Sequence, residues 1–123
     1  MKYLCLVHVE EALLDALSDG ASAALVAESI AYDDELASRG QLVVAHALQR
    51  VKHAKVLQWR QGSLSRTDGP FAETKEQLGG FLLIEADDLN AAIQIASRIP
   101  IARIGSIEVR PVAWVQRMEA SAS

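Results

Sequence analysis

Cysteine is nearly absent. Cys5 is the single one in 123 residues, which excludes an intrachain disulfide framework and fits a reducing compartment. It lies in the apolar run Tyr3-Leu4-Cys5-Leu6-Val7 and reads as a small buried hydrophobe rather than a reactive thiol. No apolar run approaches the ~20 residues of a membrane span. The N-terminus passes from Lys2 and a short apolar run into Glu10-Glu11 without a signal-peptide cleavage pattern. A cytoplasmic protein with no membrane partner is expected. Lys/Arg clusters are also missing, and the formal net charge is −4 with a pI near 5.3. That excludes nucleic acid as a main partner, because phosphate binding needs a basic face. GxGxxG, P-loop, HExxH, CxxC and GxSxG patterns are all absent, and no cofactor is expected. There are no internal repeats, low-complexity tracts or linkers.

What is present is a globular composition, with 50% hydrophobic residues. The length suits one domain with a real core, read as residues 1–118 with 119–123 as a frayed tail. Residues 2–9 are short, apolar and partly β-branched, a first strand. Residues 10–20 form a connector with some helical character, broken at Asp19-Gly20. Residues 21–39 have helical periodicity, with Leu25, Ser29, Tyr32 and Leu36 on one face. Ala23, Val26, Ala27, Ile30 and Ala37 cover an adjacent face, and Asp33, Asp34 and Glu35 form the solvated side. Gly40 is a C-cap signal. Residues 41–49 and 54–60 read as strands. Gln61-Gly62 is a tight turn, and 63–67 return as a short strand. Gly79-Gly80 lead into a central strand over 81–86. Asp87-Asp88 cap a helix over 89–98, with Leu89, Ala92, Ile93 and Ala96 inward and Pro100 ending it. The last strand spans 106–115, with Ile107, Val109 and Val112 pointing one way for part of its length.

The order β-α-β-(β-hairpin)-β-α-β predicts a ferredoxin-like α+β sandwich with an antiparallel sheet. Both helices then cover one sheet face. The strands are apolar on the other face too, and a second subunit is the simplest cover. A homodimer is therefore expected.

Candidate chemistry centres on Asp68-Gly69-Pro70-Phe71-Ala72-Glu73-Thr74-Lys75-Glu76. Asp-Gly-Pro is a turn signal. A bare connector needs the turn but not the polar run after it. In a functional reading, Asp68, Phe71, Glu73, Thr74, Lys75 and Glu76 wall a cleft for a small ligand. The carboxylates Asp68 and Glu73 serve as acid or base, and Lys75 anchors an anion. In a structural reading, Asp68 caps the turn, Phe71 plugs the core, Thr74-Lys75-Glu76 is a solvated turn, and Glu73 pairs with Arg110. Pro111 marks an edge or a bulge, and Arg110 beside it can orient a carboxylate of Glu73, of Glu76 or of a ligand. His8 is a further candidate general base, with a hydrogen-bonded strand-end histidine as the plainer alternative. His53 reads as a solvated turn residue. A metal would need His8, His46 and a carboxylate to converge across the sheet, and no metal site is assigned. Trp59 and Trp114 read as core or dimer-interface anchors.

The nine-residue run, followed by Leu78-Gly79-Gly80-Phe81, resembles the hallmark of the DGPF branch of the YCII-related domain family. Met1-Lys2-Tyr3-Leu4, Asp87-Asp88-Leu89 and residues 105–112 are similar to the same family, so the resemblance covers essentially the whole chain. It implies a dimeric α/β barrel with a ferredoxin-like subunit, in a family of small bacterial proteins, some encoded near extracytoplasmic-function sigma factors. In YCII-type relatives a histidine of the first long helix is proposed as half of a His-Asp catalytic pair, and Ser29 stands at that position here. Many members of the DGPF branch carry a histidine before the proline that ends the second helix, where this chain has Ile99. The resemblance therefore implies that acid/base chemistry at those positions is absent.

Three functions stay open. The first is a dimeric binding module with a small ligand beside residues 68–76, anionic if Lys75 anchors it. The second is an enzyme using Asp68, Glu73 and His8 in proton transfer. The third is a regulatory interaction protein with a sigma-factor partner, on family resemblance alone.

Overall fold

The computed structural model describes residues 1–114. The expected continuation of the last strand to Val115 and the tail 119–123 lie outside the described residues. Strands β1 (Lys2–Val9), β2 (Leu42–Ala47), β5 (Gln77–Glu85) and β6 (Ser106–Pro111) form one antiparallel sheet in the order β2-β5-β1-β6. Strands β3 (Lys55–Arg60) and β4 (Ser63–Asp68) make a separate hairpin. Helices α1 (Glu11–Ala16), α2 (Asp19–Ser38) and α3 (Leu89–Ser97) complete the ferredoxin-like α+β order. β5 and β1 are central, as the apolar runs predict. Pro111 is at the end of an edge strand, where a missing N–H breaks no ladder.

Alternation along β1 builds the core. Tyr3, Cys5, Val7 and Val9 are buried, and their neighbours Leu4, Leu6 and His8 face the other side, half-exposed. Leu82 and Ile84 of β5 join the first set, with Leu36 of α2, Ala92, Ile95 and Ala96 of α3, and Ile99 above them. Burial pushes the Cys5 thiol up to about 11, so the small-hydrophobe reading holds.

Helix ends follow local chemistry. Ser18 caps α2 by accepting from the Ala21 N–H at 3.1 Å, so the helix starts before the Asp19-Gly20 break that was expected. At its other end Gly40 takes φ 70. The Gly40 N–H donates to Ala37 and the Gln41 N–H to Leu36, the double bond of a Schellman ending. Asp88 caps α3 through the Ala91 N–H at 2.8 Å. The expected inner face of α3 is corrected. Leu89 and Ile93 are exposed and Ile95 is buried instead. The inner set is Ala92-Ile95-Ala96, the i, i+3, i+4 spacing. Val112 is likewise exposed, because it lies an odd number of residues from Ile107 and Val109.

The hairpin turns at Gln61-Gly62, both with positive φ (51 and 78), the twist that suits a two-residue connection. Its register pairs Leu57 with Arg66 and Trp59 with Leu64. Leu57, Trp59 and Leu64 are exposed, and so is Trp114. Neither tryptophan anchors the core. Among the described residues no helix is long and apolar enough to cross a membrane.

Candidate functional site

Helix α2 packs unevenly. Its C-terminal half is held down by Leu36, which is buried, and by Tyr32, whose hydroxyl donates to the Ile95 carbonyl at 2.7 Å. Its N-terminal half carries small residues at 20–24, and there Leu25 and Ser29 are only half-buried. A cleft opens between this half and the sheet. Its inner part is a cavity of about 180 Å³ reaching Val7, Gly80, Leu82 and Ile99. Its outer part, about 410 Å³, runs past Leu25, Val26 and Ile30 towards α1 and Arg50. Both parts share Ser29, Asp33, Ala47, Gly79 and Ile101. The wall is mostly apolar with a few convergent polar groups, the usual character of a small-molecule site.

Gly80 keeps the sheet side of the cleft intact. A Cβ there would sit 2.9 Å from the His46 carbonyl oxygen, so β5 approaches β2 only because the side chain is missing.

The cleft's polar groups differ in how far they are already engaged. The Ser29 hydroxyl donates to the Leu25 carbonyl at 2.8 Å, which leaves its lone pairs as acceptors. Asp33 lies one turn further on and is half-buried at the cavity wall, not on a fully solvated side as its neighbours Asp34 and Glu35 suggested. Burial, with a smaller contribution from the charge of Asp34, raises its carboxyl above the ordinary range. Glu11 accepts from the Val51 N–H at 3.0 Å. Arg50 pairs with Asp15 at 3.0 Å and reaches the Glu11 carbonyl at 3.4 Å.

The 68–76 loop borders a different cavity, of about 590 Å³, between the hairpin base and the outer face of the sheet. Phe71, Thr74 and Glu76 line it together with His8 and His53. Asp68, Glu73, Lys75 and Arg110 do not. Phe71 does not plug the core: it is 83% exposed. Asp68 pairs with Lys55 at 3.1 Å and stands largely in solvent, and Glu73 is exposed. Lys75 lies 4.0 Å from Glu10 and is also exposed. The Thr74 hydroxyl donates to the Glu76 carbonyl at 2.5 Å, and the Ser106 hydroxyl donates to the Glu76 carboxylate at 2.7 Å. The suggested pair of Arg110 with Glu73 or Glu76 is corrected. Arg110 lies 3.7 Å from Glu108 and sits four residues along β6 from Ser106, roughly 13 Å at the usual strand rise. The loop is held by Gln77, whose side-chain amide donates to the Ala72 and Thr74 carbonyls at 2.9 and 3.0 Å.

His8 lies 3.3 Å from Glu108, while the His46 ring packs near Phe81 with centroids 5.9 Å apart. The two histidines are on strands separated by β5. Among the described residues no group of three His, Cys, Asp or Glu is arranged to hold a metal ion.

A model of the YCII-related domain matches residues 1–116. The chain belongs to the YCII-related family. An uncharacterized protein of Rhizobium meliloti (strain 1021) is 34% identical over 115 residues, covering 92% of this chain and 93% of that one. Among solved structures, 5-chloro-2-hydroxyhydroquinone dehydrochlorinase from Burkholderia phenoliruptrix, in complex with 2,5-dihydroxybenzoquinone, has a TM-score of 0.55 at 16% identity. It covers 92% of this chain and 94% of that chain. That likeness establishes a shared fold and nothing about chemistry. In this YCII-related chain Ser29 and Ile99, the positions expected to lack family histidines, border one cavity. Both residues stand out in the sequence, whereas the cavity leaves no sequence signal and Asp33 is masked by its acidic neighbours.

Proposed function

We propose that this YCII-related chain is a homodimeric domain that binds a small, mostly apolar molecule in the cleft under α2. One observation carries the reading: Ser29, Asp33 and Ile99, from two segments far apart in sequence, face a single cavity that opens into a larger apolar one. The raised carboxyl of Asp33 adds weight, since a half-buried acid without a partner is costly unless a ligand uses it. The six-membered-ring ligand of the Burkholderia structure is of a size that suits such a cleft. The missing histidines favour binding over acid/base catalysis of the kind expected in relatives.

The dimer reading rests on surface. Leu4, Leu6, Phe81 and Leu83 are half-exposed on the sheet face away from the helices, and Phe71, Trp59 and Trp114 are exposed. A second copy would cover them.

A second reading keeps the ligand beside the 68–76 loop, favoured by the 590 Å³ cavity with Phe71, Thr74 and Glu76 on its wall. That cavity borders the outer sheet face, so a second copy would form part of its roof. Titration of isotope-labelled protein with benzyl alcohol separates the two. Amide shifts at Ser29, Asp33, Ala47, Gly79 and Ile101 are expected. Shifts confined to Phe71, Thr74 and Glu76 would move the site to the loop, and no saturable shift at either place would overturn binding of this class.

A further inference from the structure

We infer that the cleft under α2 selects a small apolar molecule bearing a protonated amine. The inference rests on the reading of that cleft as a binding site and specifies the head group it accepts.

The cleft offers acceptors and almost no free donors. Ser29 has spent its proton on the Leu25 carbonyl, so towards the cavity it can only accept. Asp33, ionised at neutral pH, can also only accept. The two stand at i and i+4 on one helix face, so their side chains are neighbours, and both border the same cavity. Every other charged group on the cleft wall is already engaged. Glu11 is held by the Val51 N–H, and Arg50, the cation of the cleft, is held by Asp15 and the Glu11 carbonyl. Gln77 donates both of its bonds away from the cleft, to Ala72 and Thr74. Among the described residues no cation pairs with Asp33.

An anion at the Ser29–Asp33 end would meet a carboxylate and a hydroxyl oxygen, while Arg50 lines only the outer part of the cleft and has its charge paired with Asp15. A neutral alcohol could donate one hydrogen bond. An ammonium group donates three, enough to satisfy Asp33 and Ser29 together while its apolar body lies against Leu25, Val26 and Ile30. Charge-assisted bonds of this kind are roughly twice as strong as neutral ones. Burial, with a smaller contribution from the charge of Asp34, raises the Asp33 carboxyl, and Glu11 of α1, Arg50 of the β2–β3 connection and His46 on the rim are the other titratable or charged groups of the cleft. Protonating Asp33 removes the acceptor, so amine binding weakens as pH falls through the raised carboxyl of that residue.

The test uses three isosteres on the intact protein: benzylamine, benzyl alcohol and benzoate, followed by amide shifts at neutral pH. Benzylamine should bind about tenfold more tightly than benzyl alcohol, the fold-change of one good charge-assisted contact, and benzoate should not bind the cleft. Asp33→Asn should bring benzylamine to the level of the alcohol, and Ser29→Ala should weaken it less. If benzyl alcohol shifts the cleft residues but the amine is no tighter, or if its advantage survives Asp33→Asn, the amine assignment is wrong and the binding site stands. If none of the three shifts the cleft, the binding-site reading fails with it.

Discussion

Ser29 and Asp33 stand one helical turn apart on α2 and border the same cavity. Their neighbours on that helix divide cleanly: Tyr32 and Leu36 pack onto the core, while Asp34 stays in water. The pair therefore lies at the boundary where α2 parts from the sheet.

Stability should report the cost of Asp33. Its carboxyl is raised above the unfolded value, so its contribution is most favourable below that value and is lost as pH climbs through the folded one. At pH 7 the carboxyl is ionised, the form that burial penalises. Asp33→Asn should then fold with stability equal to or up to about 0.5 kcal/mol above the parent. The difference should vanish near pH 3.5. Thermal melts at the two pH values check this, and clear destabilisation at pH 7 would show that Asp33 has a structural partner.

Cys5 should be inert in the native protein. It is fully buried and its thiol is pushed up to about 11. A thiol reagent at pH 8 should label it only after denaturant is added. Because the folded value lies above the reference of 9.0, the stabilising contribution is complete below pH 9 and declines as pH rises towards 11. Rapid native labelling at pH 8 would contradict the packing of β1.

Gly80→Val should be costly. Its Cβ would meet the His46 carbonyl oxygen at 2.9 Å. Backbone cannot yield as a flexible side chain can, and overpacking of this kind typically costs about 1–3 kcal/mol. Urea unfolding gives the value, with a lowered midpoint and an unchanged slope expected.

Leu83→Glu addresses the dimer. Leu83 pairs with Leu4 and Val44 on the sheet face away from the helices, so a charge there spares the helix-side core. The parent should sediment as a dimer at low micromolar concentration and the variant as a folded monomer. A monomeric parent would remove the second copy from the proposal.

Much of the fold was legible because its signals are local. Residues 2–9 read as a strand and form one, and the Gln61-Gly62 and Gly40 signals mark real ends. The face Leu25-Ser29-Tyr32-Leu36 is the one α2 turns inward. The core reading of the tryptophans and of Phe71, and the inward reading of Leu89 and Ile93, failed for a common reason. Hydrophobicity alone does not say whether a residue is covered by its own chain or left on the surface. Asp33 was hidden by its company. Three acids in a row read as solvent-facing, yet the helical period places the first of them directly beyond Ser29. The cleft was not legible at all. It arises where small residues at 20–24 let one half of a helix stand away from its sheet, and a gap between distant segments leaves no periodicity to read.

The side chain of Gln77 borders both the cleft under α2 and the cavity beside the loop. Its amide is pinned by two loop carbonyls, those of Ala72 and Thr74. Leu48, Gln49 and Arg50 border both chambers as well, so the partition is about one residue thick and Gln77 is the part of it moored on the loop side. A change in the path of residues 72–74 would release that part and redraw one stretch of wall in the chamber behind it, with no atom of α2 disturbed.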